Sequence, residues 1–137
     1  MFKREITVTA EVENLETVTA FVDQCLEENG CSPRSQMQID VAVDELFSNI
    51  AYYAYPPGSG TVTVQVEIAG EPACATLTFI DSGIPYDPLS RKDPDTTLSA
   101  EERQIGGLGI YMVKKSMDGV AYACEDGKNV LRITKKL

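Results

Sequence analysis

Between Lys3 and Ala10 apolar and polar side chains alternate, with Ile6 and Val8 on one face and Thr7 and Thr9 on the other. A period of two reads as a β-strand, here placed at a sheet edge. Beyond Asn14, which stands where a helix cap belongs, Leu15, Val18, Phe21, Val22, Cys25 and Leu26 recur at helical spacing until Asn29 and Gly30 stop the run. A second helical period, from about Arg34 to Ala54, aligns Ile39, Val43, Leu46, Phe47 and Ile50 and ends at Pro56-Pro57-Gly58. It is the longest apolar-periodic stretch in the chain.

Alternation returns over Thr61 to Ile68 and Ala73 to Ile80, both rich in β-branched residues, and Ala69-Gly70-Glu71-Pro72 between them predicts an antiparallel hairpin. From Ser82 to Gln104 the pattern is polar and broken by Pro85, Pro88 and Pro94, the mark of a functional lid or an insert without regular structure. A third helix is expected from about Leu108 to Met117, followed by strands Val120 to Glu125 and Asn129 to Lys135 that turn at Asp126-Gly127. Strand, two helices, two strands, lid, helix, two strands is not the alternation of a doubly wound parallel sheet. It predicts one domain over residues 1–137, a two-layer α+β sandwich with the helices on one face of a mainly antiparallel sheet.

A chain of 137 residues, 43% hydrophobic, suffices for one such core. Twelve basic against 21 acidic residues leave a net charge of -9, a field that repels nucleic acid and anionic lipid and favours a basic protein surface as partner. No apolar run has membrane-spanning length and the N-terminus has no signal-peptide core, so the expectation is a cytoplasmic protein. Cys25, Cys31, Cys74 and Cys124 form no Cys-x-x-Cys pair, and histidine is absent altogether. That argues against zinc sites and excludes every mechanism with a histidine base. Catalysis would have to rest on carboxylates, lysines or a metal.

Glu45 and Asn49 lie four residues apart on the second helix, hence on one side of it, flanking the apolar stripe. A carboxylate can take a proton from an attacking hydroxyl, and an Asn carbonyl is a hard ligand suited to Mg²⁺. A plain solvated face would carry the same residues. Asp40 and Asp44 share another face, read as solvent-exposed. At the end of the hairpin, Asp81 can accept the exocyclic amine of adenine while Gly83 clears the approach of a base; Asp-Ser-Gly is also ordinary turn chemistry. Gly106, Gly107, Leu108 and Gly109 precede or open the third helix, where backbone N–H groups can cradle phosphate, or where a lid can hinge. Neither glycine cluster fits a Walker loop or a Rossmann turn.

Taken together, these residues resemble the GHKL (Bergerat-fold) ATPases, and most of all the anti-sigma-factor serine/threonine kinases, over nearly the whole chain. The N-box Glu-x-x-x-Asn is matched by Glu45 to Asn49, the adenine motif by Asp81-Ser-Gly-Ile-Pro-Tyr-Asp-Pro88, and the lid end by Gly106-Gly-Leu-Gly-Ile-Tyr-Met-Val113. The resemblance implies Glu45 as general base and Asn49 as Mg²⁺ ligand. It places Asp81 and Gly83 at adenine, and Gly106 to Gly109 with Arg103 at the phosphates of ATP, under a lid of about residues 84–106. It further implies an anti-anti-sigma (STAS) protein as phosphoryl acceptor, a sigma factor as captive, and a homodimer. Two positions depart from the pattern: Tyr53 stands where many members carry histidine, and Gly127-Lys128-Asn129 replaces a frequent Gly-Thr. The alternatives are an ATP-dependent binding module without turnover and a stand-alone histidine-kinase-type ATPase domain.

Overall fold

Every second residue of the stretch from Thr61 is wholly buried, Val62, Val64 and Val66 being fully covered, as period-two alternation demands of a strand with one face on a core. The computed structural model of the chain describes residues 1–55, 58–90 and 107–137. Its strands are β1 (Phe2–Thr9), β2 (Thr61–Ala69), β3 (Cys74–Asp81), β4 (Gly119–Glu125) and β5 (Lys128–Lys136), and its helices α1 (Leu15–Glu28), α2 (Pro33–Tyr53) and α3 (Gly107–Ser116). The strands form a single sheet in the order β1-β2-β3-β5-β4, with each neighbouring pair antiparallel. β1 is an edge, as its sequence predicts.

The helices meet the sheet through the stripes that the periodicity picks out. Val18, Val22 and Leu26 of α1 and Ile39, Val43, Leu46 and Phe47 of α2 are buried against Leu77 and Phe79 of β3 and Leu131 and Ile133 of β5, and Ile110 and Val113 of α3 join the same core. The α+β two-layer sandwich is therefore the observed fold. The β4–β5 turn places Asp126 at φ 51° and Gly127 at φ 77°, the left-handed pair that a two-residue hairpin turn requires.

Two local expectations change. Asn14 precedes α1 but does not cap it: its side chain donates to the Thr9 carbonyl at 2.9 Å, tying the Val12–Asn14 3₁₀ turn to the end of β1. The helix that is capped is α2, where the Ser32 hydroxyl accepts from the Ser35 N–H at 3.2 Å and Pro33 fills the first turn. Asp40 is half-buried rather than solvent-exposed, because α1 packs across that face of α2 and brings Asp23 towards it; Asp44 is exposed as expected. α2 ends at Tyr53, and Pro56 and Pro57 lie outside the described residues, as do residues 91–106 of the expected lid, with Arg103 and Gly106.

Candidate functional site

α2 carries Glu45 and Asn49 on a flank that is half-buried. The Asn49 amide donates to Glu45 Oε1 at 3.2 Å, and because an ionised carboxylate only accepts, the amide nitrogen must be the atom turned to Glu45. The Asn49 carbonyl oxygen, the hard-ligand end, is thereby kept for another partner. The predicted pair is thus one joined unit.

α3 supplies the opposite wall. Its third residue is Gly109, and a Cβ added there would collide with the carboxyl group of Glu45. The first turn of α3 consequently lies on the proposed base, so the N-terminal N–H groups of that helix and the Glu45 carboxylate share one small volume. Gly107 is the first residue of α3. Leu108 lies in the same turn.

Asp81 ends β3 on the helix-facing side, two residues beyond Phe79, and is 6% exposed. Its Oδ1 accepts from the Gly83 N–H at 2.9 Å, an Asx turn, and from the Asn129 amide at 2.9 Å. Asn129 is 7% exposed and stands directly opposite Asp81 in the β3–β5 register. A cleft between α2 and the sheet exposes this end of β3; its walls include Asn49, Tyr53, Ile84, Tyr86, Tyr122 and Asn129. It is mainly apolar and leaves only about 50 Å³ open as the side chains stand. Ile84 and Tyr86 at its rim are 53% and 46% exposed.

The strand end and the helix end are fixed to one another. A Cβ on Gly83 would strike the backbone of Ala54, the C-cap of α2, and the Ile84 N–H donates to the Ala54 carbonyl at 2.8 Å. Gly83 is therefore needed for close approach of β3 to α2, a packing reason additional to base access. Tyr55 braces the same junction: its hydroxyl donates to the Thr61 carbonyl at 2.6 Å and accepts from the Ser82 N–H at 2.7 Å. Burial pushes the Tyr55 phenol up, with the Asp81 charge adding to it and the Ser82 N–H opposing, so the hydroxyl keeps the proton it donates. Behind it an open hollow of about 300 Å³ is walled by Tyr55, Ser82 and Gly83 among others.

A larger groove of about 570 Å³ runs between α1 and α2, where Met37 and Val41 are 62% and 56% exposed. Its charged walls are Glu27, Asp40 and Asp44, without a cation, so it repels phosphate and is no candidate for a nucleotide. Burial first, then Asp23 and Glu27, push the Asp40 carboxyl up to about 7. Among the described residues the Oδ1 atoms of Asp23 and Asp40 are buried without a donor, and a proton on Asp40 is what lets the two acids bond rather than repel.

Sequence reasoning brought Glu45, Asn49, Gly109, Asp81 and Gly83 to the same end of the molecule, and the structure assembles them there. It missed Asn129, Tyr122 and Tyr55. Asn129 had a signal, the replacement of a frequent Gly-Thr, but no local pattern says which strand β5 pairs with.

Residues 8–135 match the histidine kinase-like ATPase domain family, and the chain belongs to that family. A curated relative is the serine/threonine-protein kinase BtrW of Bordetella bronchiseptica, 27% identical over 103 residues that cover 75% of this chain and 72% of that protein. The crystal structure of the RsbU and RsbW domains of Rv1364c from Mycobacterium tuberculosis aligns over 100% of this chain and 33% of that one, with a TM-score of 0.70 and 18% identity. This chain spans about a third of that structure, and the likeness is one of fold. The resemblance to GHKL anti-sigma-factor kinases read from the motifs is borne out by these relatives. No described helix is long and apolar enough to cross a membrane.

Proposed function

We propose that this chain is an ATP-dependent serine/threonine protein kinase of the anti-sigma type, which phosphorylates an anti-anti-sigma (STAS) protein and holds a sigma factor when that antagonist is absent. The observation that carries the reading is the closure of Glu45, Asn49 and the first turn of α3 upon one another at the mouth of the Asp81 cleft. In this arrangement Asp81 accepts the adenine amine, and the N–H groups at Gly107 and Gly109 face the phosphates. The family resemblance assigns Arg103, Gly106 and Leu108 to the phosphates as well. Glu45 takes the proton of the partner's hydroxyl as its oxygen bonds to the γ-phosphorus and the bond from that phosphorus to the β-phosphate oxygen breaks, leaving ADP.

Among the described residues no three acids or cysteines converge on a metal. Asn49 Oδ1, a hard oxygen donor left open by the bond to Glu45, would hold Mg²⁺ beside the phosphates of the nucleotide. When bound, the ion supplies charge neutralisation on the β- and γ-phosphates. The reading places the protein in the cytoplasm, as a homodimer, with its acidic charge of -9 complementary to a basic sigma surface.

Phosphoryl transfer from labelled ATP to the cognate STAS protein tests this directly. Glu45→Gln is expected to keep nucleotide binding within about twofold and to lower transfer by at least ~100-fold. Transfer that survives the substitution would require another base, and a wild-type protein that binds ATP yet never transfers would be a binding module. Asp81→Asn is expected to weaken ATP binding by about 1.5–3 kcal/mol, roughly 10- to 100-fold, by calorimetric titration; unchanged affinity removes Asp81 from the adenine site.

A further inference from the structure

A buried primary amide has two donors and one acceptor to satisfy, and Asn129 satisfies all of them on groups from three separate segments. Its Nδ2 donates to Asp81 Oδ1 at 2.9 Å and to the Ile84 carbonyl at 3.0 Å, with the Gly83 carbonyl at 3.5 Å. Its Oδ1 accepts from the Tyr86 N–H at 3.3 Å and from the Tyr122 hydroxyl. A reversed amide would set its oxygen against a carboxylate and a carbonyl and its NH₂ against an N–H, so the orientation is fixed by its neighbours. Burial pushes the Tyr122 phenol up, keeping the proton that Asn129 accepts.

The consequence falls on Asp81. Its Oδ1 holds two donors, the Gly83 N–H and the Asn129 amide, and the carboxylate cannot turn without losing both. Among the described residues none donates to Oδ2, which is the acceptor left for a ligand. Asn129, for its part, spends its hydrogens on Asp81 and the 83–84 backbone and offers none to the cleft. We propose that Asn129 is the positioning residue that makes this cleft read adenine rather than guanine, by locking Asp81 with a bare acceptor outward. The inference rests on the ATP reading above and assigns to one side chain the selectivity of that site. A 6-amino group donates to Oδ2, whereas the O6 of guanine meets a carboxylate and is repelled.

Asn129→Asp tests the lock without changing its shape. The new carboxyl faces Asp81 Oδ1 with no N–H to give, and two acids so close must share one proton. Among the described residues, Tyr122 of β4 and Asp81 of β3 are the titratable side chains bonded to the position, Cys124 opposes it in the β4–β5 register, and the charge of Asp87 acts on Tyr122. Calorimetric titration with Mg-ATP and Mg-GTP is carried out at several pH values, each expressed relative to the wild-type protein at the same pH. The ATP affinity ratio is expected within about threefold of unity at pH 5, where the shared proton stands in for the amide, and below about one tenth at pH 8. The preference for ATP over GTP is expected to collapse over the same interval. Amide NMR signals of Gly83 and Tyr86, which report the two ends of the network, establish that the variant is folded at pH 5. A folded variant whose ratio is flat from pH 5 to 8 overturns the positioning role and leaves the ATP reading standing. A wild-type protein that binds neither nucleotide overturns both.

Discussion

Gly109 has no side chain because the carboxyl of Glu45 occupies the space one would need. Gly109→Ala therefore acts on the proposed base: either the first turn of α3 lifts or Glu45 leaves its place beside Asn49. Phosphoryl transfer is expected to fall by about 10- to 100-fold, with thermal stability changed by only about 1 kcal/mol because α3 gains helix propensity while losing the contact. Single-turnover assays beside thermal melts separate the two effects. A transfer rate equal to wild type would show that the contact does not position the base. At this scale the motif residues were legible, because spacing along one helix fixes which side chains share a face. Asn129 was not, since its role comes from Asp81 standing opposite it across strands separated by α3 and β4. Residue type alone points to Asn14 as a cap, and the turn that precedes the helix decides instead for the Thr9 carbonyl.

At the scale of elements, the α1–α2 contact carries a titratable fault line. Asp40 is held up at about 7 against an ordinary 3.8, by burial first and by Asp23 and Glu27 of α1 next; Cys31 in the connection is its other titratable neighbour. Between those values the folded chain keeps a proton that the unfolded chain releases, so this contribution to stability is full below pH ~3.8 and is lost as pH rises through ~7. Asp40→Asn is expected to flatten that slope and to stabilise the protein at pH 8 by about 1 kcal/mol, the exposure of the pair screening anything larger. Denaturant melts from pH 4 to 8 measure it, and parallel wild-type and variant curves would remove the pair from the account. The sequence placed Asp40 on the right face of its helix but could not say that α1 would cover that face. The elements themselves were largely legible, since β1, α1, α2 and the two hairpins have ends set by local periodicity and turn residues, within a residue or two of those observed.

For the whole molecule, the core joins all three helices to one sheet, and the described residues are expected to unfold as one unit. Calorimetry should show a single transition with equal calorimetric and van't Hoff enthalpies and a heat-capacity increment of about 1.6–2 kcal/mol/K. Two transitions would divide the chain. Phe47→Ala, at the centre of α2 and fully buried, is expected to cost about 3–5 kcal/mol and to shift that transition without splitting it. The Tyr55 brace belongs to this scale as well, because it ties the end of α2 to the start of β2 and to the residue after Asp81. Natural drift or a saturation screen scored on nucleotide binding would therefore find position 55 nearly as intolerant as position 81, rejecting even Phe, which keeps the ring and loses both bonds.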